Sequence, residues 1–269
     1  MTKKTIETTL VIGDAHSDPN HPLDRFSCLG NFIVEKRPSS IVQIGDWGSY
    51  DSVSFHDRGN LRIREGARLS DDLEAAQEAY NKMMAPLIAY NKKRSSIKKG
   101  YYEFNGYWFE SNHEFRIHRY VDENPVLEGL IPERDLVGAE KDGWNLNPWK
   151  SVCYINGVCF THIPCNDGNN QPISGKYVAR RAVELSQSTV VFGHTHRFCV
   201  EPLARSGEDG SVFLEGINVG WFGDYIPEYI DGHMGTSHWW SGLVLLHHTE
   251  EGRVDIERFS IDRIKRDYS

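Results

Sequence analysis

The first fifty residues contain a strand–helix–strand pattern, and this pattern restricts the fold more than any other feature of the chain. Thr8 to Ile12 is an apolar run typical of a buried strand, and Ile41 to Ile44 is a second run of the same kind. Between them, Leu23 to Glu35 carries apolar side chains at helical spacing. The pattern predicts the βαβ unit of an α/β layer fold.

Acidic and histidine side chains follow both runs directly. Gly13-Asp14-Ala15-His16 comes after the first run, and Gly45-Asp46 comes after the second. In α/β sheets, functional residues gather in the loops outside the carboxyl ends of the strands. We therefore expect Asp14, His16 and Asp46 to lie in such loops.

Three later apolar segments end in the same way, at the groups Ser111-Asn112-His113-Glu114, Thr161-His162 and Gly193-His194-Thr195-His196. The five strand ends carry, in order, D-x-H, G-D, N-H-E, a lone His and G-H-x-H. Carboxylate, amide and imidazole groups are ligands that suit Mn, Fe, Zn or Ni. One such group alone also occurs in ordinary loops as a cap or turn former. All five in this order predict a metal site.

Other segments complete the predicted secondary structure. Arg68 to Lys99 has helical spacing, with Pro86 as a potential kink and an apolar stripe that favours core packing over a partner groove. A shorter helix is predicted over Phe115–Glu123, and Asn156-Gly157 signals a hairpin turn. The segment from Pro125 to Trp149 is expected to be irregular. Strands of a second sheet are predicted at Val212–Val219, Leu243–His248 and Val254–Phe259.

Composition restricts the environment and the partners. The formal net charge of −8 argues against non-specific binding to long nucleic acid but is compatible with a nucleotide or a nucleic-acid end. No apolar run reaches the roughly 18 residues of a membrane span, and no signal peptide is evident at the start. The five cysteines form no C-x-x-C pair, which predicts unreactive thiols. We expect a cytoplasmic protein with no membrane association and no obligate protein partner.

The five groups together resemble the pattern of the calcineurin-like metallophosphoesterase superfamily, D-x-H, G-D, G-N-H-[D/E], H, G-H-x-H. The matching residues run from Asp14 to His196, and G-D-W-x-S-Y-D with N-H-E-x-R is similar to phage and prophage members. The resemblance implies an α/β (α+β) fold, a two-sheet β-sandwich flanked by helices in a four-layer architecture. We expect a single domain over residues 1–269, with a helical insertion at about 52–100 that could cap the site.

The resemblance also implies roles for individual residues. Asp14, His16 and His196 are similar to the ligands of one metal, and Asp46 to the carboxylate that bridges two. Ligands of the second metal are implied at Asn112, His162 and His194. His113 resembles the general acid that contacts the phosphate, Glu114 is expected to orient its loop, and Arg116 is a candidate substrate contact. Two divalent cations are implied, with Mn²⁺ favoured and Fe, Zn or Ni as alternatives.

Three departures from the family pattern affect the interpretation. Ser111 replaces the glycine of G-N-H-E, which matters if that position needs a positive φ. The stretch after Asp46 lacks the D-R-G of serine/threonine protein phosphatases, and the string at residues 56–59 (H-D-R-G) comes about ten residues too late. The gap from Asp46 to Asn112 is long for the family.

The function implied is hydrolysis of a phosphate ester by hydroxide that two cations generate from water. The ester is a phosphodiester or a phosphomonoester, with a nucleotide or nucleic-acid end favoured. The alternatives are a serine/threonine-type protein phosphatase and a non-catalytic metal-binding scaffold. The aromatic pair Trp239 and Trp240 either fills the core, which we favour, or stacks a base near the site.

Overall fold

The structure is a computed structural model that describes residues 6–55, 65–207, 210–225, 239–250 and 252–269. The described part is a mixed α/β protein with two sheets and five helices. The strands are β1 (Thr8–Ile12), β2 (Ser40–Gln43), β3 (Asn105–Phe109), β4 (Trp144–Asn147), β5 (Cys153–Ile155), β6 (Val158–Phe160), β7 (Val190–Phe192), β8 (Phe198–Gly207), β9 (Gly210–Val219), β10 (Gly242–Glu250) and β11 (Arg253–Ser260). The helices are α1 (Asp24–Lys36), α2 (Leu69–Ser96), α3 (Glu114–Glu123), α4 (Val178–Ser186) and α5 (Ile261–Tyr268).

The first sheet has six strands in the order β11-β10-β1-β2-β3-β4. Strands β1 to β4 are parallel, and α1 connects β1 to β2. The predicted βαβ unit is therefore confirmed. Because β1, β2 and β3 run in one direction, their carboxyl ends, which carry Asp14, Asp46 and Asn112, lie at the same edge of the sheet.

The second sheet has five strands in the order β5-β6-β7-β9-β8. Strands β6, β7 and β9 are parallel, so the loops that follow β6 and β7 also meet at one edge. Asn156 and Gly157 join β5 to β6 with φ values of 50° and 76°. Both residues thus adopt the positive φ that a two-residue type I′ hairpin requires, as the Asn-Gly sequence predicted.

Three strands of the second sheet were predicted, and the prediction was wrong for Leu243–His248 and Val254–Phe259, which lie in β10 and β11 of the first sheet. Strand β10 pairs antiparallel with β1, from Thr8 opposite His247 to Ile12 opposite Leu243, and β11 pairs with β10. Strand β1 is almost completely buried, so its free edge needs hydrogen-bonding partners inside the protein. Strand β10 supplies them, and local apolar alternation does not reveal which edge a strand will join.

Alternate residues of β1 face two different cores. Leu10 and Ile12 pack with α1, α2 and α5 in one apolar cluster, whereas Val11 packs in a second cluster with side chains of both sheets. A third cluster packs α4 against the second sheet. The two sheets therefore share an apolar core, and helices cover the first sheet on one side and the second sheet on the other.

The long predicted helix is present as α2, and Pro86 lies inside it without ending it. Its buried residues pack against α1, and a Cβ on Gly30 of α1 would lie 2.3 Å from the Met83 carbonyl oxygen. The apolar stripe of α2 is thus core packing, as favoured. Residues 56–64, which fall in the predicted insertion and include the H-D-R-G string, lie outside the described residues.

The prediction that Pro125–Trp149 is irregular was wrong for part of the segment. Trp144–Asn147 forms β4, which pairs parallel with β3 at the edge of the first sheet. Trp144 is the one buried residue of this short edge strand. A strand with one buried side chain has little periodic signal in the sequence. Among the described residues, no helix is long and apolar enough to cross a membrane.

Candidate metal centre

The polar loops after five strands meet where the two sheets adjoin, and they bring together two groups of potential ligands. One group is Asp14, His16, Asp46 and His196, and the other is Asp46, His162 and His194. Within each group, one ligand atom from every residue lies within 4.8 Å of the others. Asp46 belongs to both groups, so its carboxylate stands between them.

In the first group, two imidazoles and two carboxylates converge. The Nε2 atoms of His16 and His196 are 3.0 Å apart. The His196 Nε2 atom is 3.1 Å from Asp14 Oδ2, and the His16 Nε2 atom is 3.7 Å from Asp46 Oδ2. All four residues are buried. The residues predicted for the first ligand set are therefore adjacent in space.

Asp14 shows that this group fits a cation. The side chain is fully buried, and neither carboxylate oxygen accepts a hydrogen bond from the described residues. The His196 nitrogen near Oδ2 is close but is not aligned to donate. A buried carboxylate without donors costs several kcal/mol unless it is paired or binds a metal. The donor set, two carboxylates and two imidazoles, suits a divalent cation of the Mn, Fe, Zn or Ni type.

The second group is built around the amide oxygen of Asn112. His162 Nε2 lies 3.0 Å from Asn112 Oδ1, and His194 Nδ1 lies 3.1 Å from the same atom. His162 Nε2 is also 3.6 Å from Asp46 Oδ2. The other ring nitrogen of His162 donates to the Ile44 carbonyl at 3.0 Å, which leaves the Nε2 lone pair facing the site. Asn112 Oδ1 thus contacts both histidines of this group.

Four candidate ligands have a backbone conformation that is uncommon outside glycine. The φ values are 45° for His16, 53° for Asp46, 67° for His194 and 57° for His196. Such residues cost about 1–3 kcal/mol each and persist only where the surrounding structure holds them. At the first loop, the backbone N–H groups of Ala15 and His16 both donate to the Asp46 carbonyl at 2.9 Å. These bonds tie two ligand loops together.

Arg25 on α1 holds the loop of the D-x-H group from behind, a role that the sequence did not reveal. Its side chain is fully buried and donates to the carbonyls of Ala15 at 3.0 Å and His16 at 3.4 Å. It also donates to the Phe222 carbonyl and forms an ion pair with Asp224 at 3.2 Å. An arginine at a helical position gives no local signal that it will be buried.

Burial keeps the candidate ligand histidines in the form that binds metal. It lowers the pKa of His16 well below the ordinary value, and the neighbouring His113 and His196 add to this effect. Burial and the adjacent His162 lower the pKa of His194 to about 4. Neutral imidazoles bind metals, whereas imidazolium groups do not.

His113 belongs to neither ligand group. Its Nδ1 atom donates to the Ser49 carbonyl at 2.8 Å, and its Nε2 atom lies 4.0 Å from Asp46 Oδ2. Burial lowers the pKa of His113. Its ring centroid is 4.6 Å from that of His16, so the imidazole borders the first group.

Arg116, the candidate substrate contact, lies beside His113 and is held by the protein itself. Its Nη1 atom donates to the Ser49 carbonyl at 2.7 Å and to Asp51 Oδ1 at 2.6 Å, and its Nη2 atom is 3.2 Å from His113 Nε2. Asp51 and the Ser49 carbonyl therefore fix the guanidinium next to the imidazole.

Glu114 ties two loops together and is not part of a ligand group. One carboxylate oxygen accepts from the Trp47 backbone at 2.9 Å, and the other accepts from the backbone and the hydroxyl of Ser111. Burial and the nearby Asp46 raise the pKa of Glu114 to about 7. Ser111 has no positive φ, so serine in place of glycine causes no strain there. Its hydroxyl also contacts Asp46.

The remaining histidines and tryptophans have separate surroundings. His21 stacks on Tyr225, and His118 forms an ion pair with Glu133. Trp240 packs in the core between the sheets, as favoured, but the Trp239 ring lies 4.1 Å from that of His196 and borders the site. His56, His233 and His238 lie outside the described residues.

The sequence matches no protein-family model, and it matches no curated protein. Solved structures do align with the fold. In one of them the alignment covers 95% of this chain and 100% of the other, with 10% sequence identity and a TM-score of 0.39. A likeness at this level assigns neither a family nor a function.

Proposed function

We propose that the protein is a dinuclear metal-dependent phosphoesterase of the calcineurin-like metallophosphoesterase type. The observation that carries the proposal is the buried Asp46 carboxylate, which is shared by two groups of potential ligands. Asp46 would help to hold a cation in either group, together with the histidines of that group.

The seven proposed ligands divide between two metal positions. Asp14, His16 and His196 belong to the first, and Asn112, His162 and His194 belong to the second. Asp46 belongs to both. Mn²⁺ is the favoured ion, and Fe, Zn or Ni would accept the same oxygen and nitrogen donors. Such ions would polarise a phosphoryl group and would lower the pKa of a bound water, which then supplies hydroxide as the nucleophile. Asp46 keeps its carboxylate orientation because Ser111 and the His113 backbone contact the same oxygen.

His113 is the proposed proton donor to the leaving oxygen. Since Nδ1 keeps its proton and donates it to the Ser49 carbonyl, Nε2 is the atom that would hold and release a proton on the site side. Arg116 Nη2 lies 3.2 Å from that atom and donates to it while Nε2 carries no proton. When Nε2 is protonated, the planar guanidinium would donate to a phosphate oxygen instead. The two side chains thus face the same substrate position.

The arrangement of the cores supports the wider resemblance. Helices, first sheet, second sheet and a further helix follow one another through three apolar clusters, an order that agrees with the proposed four-layer sandwich. We propose a single domain for residues 1–269 and a phosphate-ester substrate, with a nucleotide or a nucleic-acid end favoured. A cytoplasmic location is part of the same proposal.

The test is hydrolysis of bis-p-nitrophenyl phosphate and p-nitrophenyl phosphate by protein stripped with a chelator and then supplied with Mn²⁺. Metal content is measured in parallel by mass spectrometry. We expect about two metals per chain, turnover only with metal, and loss of both in Asp46→Asn. Asp255→Asn, an exposed carboxylate on β11, is the matched control and should behave as wild type.

Three results would contradict the proposal. Failure to bind metal at all would remove its basis. Two bound metals without hydrolysis of these esters, nucleotides or nucleic-acid ends would favour the scaffold alternative. Hydrolysis of phosphoserine peptides in preference to nucleotides would favour the protein phosphatase.

A further inference from the structure

A small pocket opens beside Asn112, a member of the candidate metal centre. Its volume is about 160 Å³, and its lining includes Asn112, Phe115, Arg116, Arg119, Tyr120 and Trp149. Small-molecule pockets usually enclose roughly 300–1,000 Å³. This pocket therefore accommodates one part of a substrate, such as a ring system, next to the proposed second metal position.

Two aromatic rings line the pocket side by side. The Phe115 and Trp149 rings are tilted by 27° from parallel, with centroids 6.4 Å apart. This separation is that of an ordinary aromatic pair, so the two rings form one continuous aromatic surface. Aromatic faces beside a pocket are the usual platform for stacking a nucleobase.

Trp149 is held in place by contacts on several sides. Its backbone N–H donates to Glu110 Oε2 at 3.2 Å, at the end of β3. Its ring lies 5.7 Å from the ring of His162, a proposed metal ligand. A group stacked on Trp149 would consequently lie next to a phosphate at the metal centre.

The pocket is positively charged although the whole chain has a net charge of −8. Two arginines line it, and no carboxylate does. Arg116 is paired with Asp51. Arg119 is exposed, its guanidinium lies 5.8 Å from the centre of the Phe115 ring, and no ion pair of Arg119 occurs among the described residues. Arg119 is therefore available to an anion on a group bound in the pocket.

We propose that this pocket binds the base of a nucleotide substrate against the aromatic pair Phe115 and Trp149, while Arg119 binds a second phosphate of the same molecule. This inference rests on the proposed phosphoesterase function and narrows its substrate class. The substrate is then a nucleotide with more than one phosphate, or the end of a nucleic-acid strand, in which one phosphate occupies the metal centre.

The test is equilibrium binding of three probes, ADP, AMP and inorganic pyrophosphate, to the full chain by calorimetry. We expect ADP to bind more tightly than either of the others, because only ADP carries both a base and a second phosphate. Trp149→Ala should weaken ADP and AMP by roughly tenfold or more and leave pyrophosphate unchanged. Arg119→Ala should weaken ADP and pyrophosphate but not AMP.

Matched controls separate these effects from general surface changes. Tyr177→Ala and Arg180→Ala remove an exposed aromatic ring and an exposed arginine at α4, away from the pocket lining, and should bind all three probes as wild type does. Trp149→Phe keeps an aromatic face and should restore most of the ADP affinity lost in Trp149→Ala, which a loss of folding would not allow.

Equal binding of ADP and pyrophosphate, or no change of the ADP affinity in Trp149→Ala, would overturn the inference. The proposed function is judged separately by metal-dependent hydrolysis of bis-p-nitrophenyl phosphate. If that hydrolysis occurs and ADP gains nothing from its base, the pocket inference alone fails. If ADP binds as expected and no ester is hydrolysed, the phosphoesterase proposal alone fails.

Discussion

His113 and the ligand histidines differ in where their ring nitrogens point. The Nε2 atom of His162 faces Asn112 and Asp46 at 3.0 Å and 3.6 Å, whereas that of His113 stays 4.0 Å from Asp46 and faces Arg116. In the proposed mechanism, Asn112 is thus a metal ligand and its neighbour His113 is a proton donor. The N-H-E motif alone could not establish this difference, because the orientation of His113 depends on the loop that places Ser49 opposite its ring.

We expect His113→Ala to retain about two metals per chain while kcat for ester hydrolysis falls roughly 10²- to 10⁴-fold, the contribution typical of a positioned acid. The fall should be smaller for a p-nitrophenyl leaving group, which needs little protonation, than for an alkyl leaving group. Metal analysis and steady-state kinetics on both esters check this. An equal fall for both esters, or loss of metal, would contradict the assignment.

At the scale of elements, α1 supports the metal centre through Arg25. The helix and its apolar face follow from sequence periodicity, but the burial of Arg25 follows from the position of Phe222 and Asp224, nearly 200 residues later. Arg25 satisfies carbonyls of the loop that carries Asp14 and His16. Its removal affects both the stability of the fold and the position of two proposed ligands.

We expect Arg25→Met to lower the free energy of unfolding by about 3–5 kcal/mol, as when one partner of a buried ion pair is removed. Metal affinity should fall as well, since the Ala15–His16 loop loses two hydrogen bonds. Lys265 also pairs with Asp224, but at the surface. Lys265→Met is therefore the control and should cost no more than about 1 kcal/mol. Urea denaturation and metal titration of both variants provide the comparison.

The crossing of α1 and α2 depends on Gly30. A Cβ at this position would lie 2.3 Å from the Met83 carbonyl oxygen and 2.8 Å from Pro86 Cγ. Alanine in a helix is favoured over glycine by about 1 kcal/mol, but a clash with backbone cannot be relieved by a side-chain rotation. We expect Gly30→Ala to destabilise the fold by about 1–3 kcal/mol.

Gly100→Ala is the matched control for this substitution, because nothing lies within 4 Å of a Cβ there. It should leave the urea midpoint nearly unchanged. If Gly30→Ala were as stable as wild type, the two helices would have to be farther apart than described.

At the scale of the whole molecule, the sequence predicted the strands that lead into the site better than the strands that enclose it. Strands β1, β2, β3, β6 and β7 have short apolar runs that end at polar loops, and these features are local. The placement of β10 beside β1 is a long-range pairing, and periodicity says nothing of it. Strand β8 and helices α4 and α5 were not predicted, because their apolar residues are few or interrupted by charged ones.

The stability of the metal-free protein should decrease as the pH falls from about 7 to 5. An unfolded histidine titrates near pH 6.5, whereas the pKa of His194 is lowered to about 4. Between these values the unfolded chain binds a proton that the folded chain does not, so the free energy of unfolding rises with pH. His16 and His113 act in the same direction. Glu114, with a pKa of about 7, acts in the opposite direction.

Burial also lowers the pKa of His248 and raises the pKa values of Asp72 and Glu215. Because four histidines then oppose three carboxyl groups, the histidines should determine the sign. Urea denaturation at pH 7 and pH 5 in the presence of a chelator measures the effect. His194→Asn should reduce the dependence of the unfolding free energy on pH, and His247→Asn, at a partly exposed position outside the site, should not. A metal-free protein that is more stable at pH 5 would reverse the sign that we derive.

The proposed ligands come from both sheets: Asp14, Asp46 and Asn112 follow strands of the first, and His162, His194 and His196 follow strands of the second. Elsewhere the sheets meet mainly through apolar contacts, which have no preferred direction, and through hydrogen bonds from Gly252 to Asn156 and from Thr189 to Gly252. Any ion held by both sets is therefore a cross-link whose strength depends on its free concentration. The lifetime of this protein in a cell would then depend partly on the metal supply. A shortage of metal would stop its activity and would also lower its amount, because the metal-free protein would unfold and be degraded.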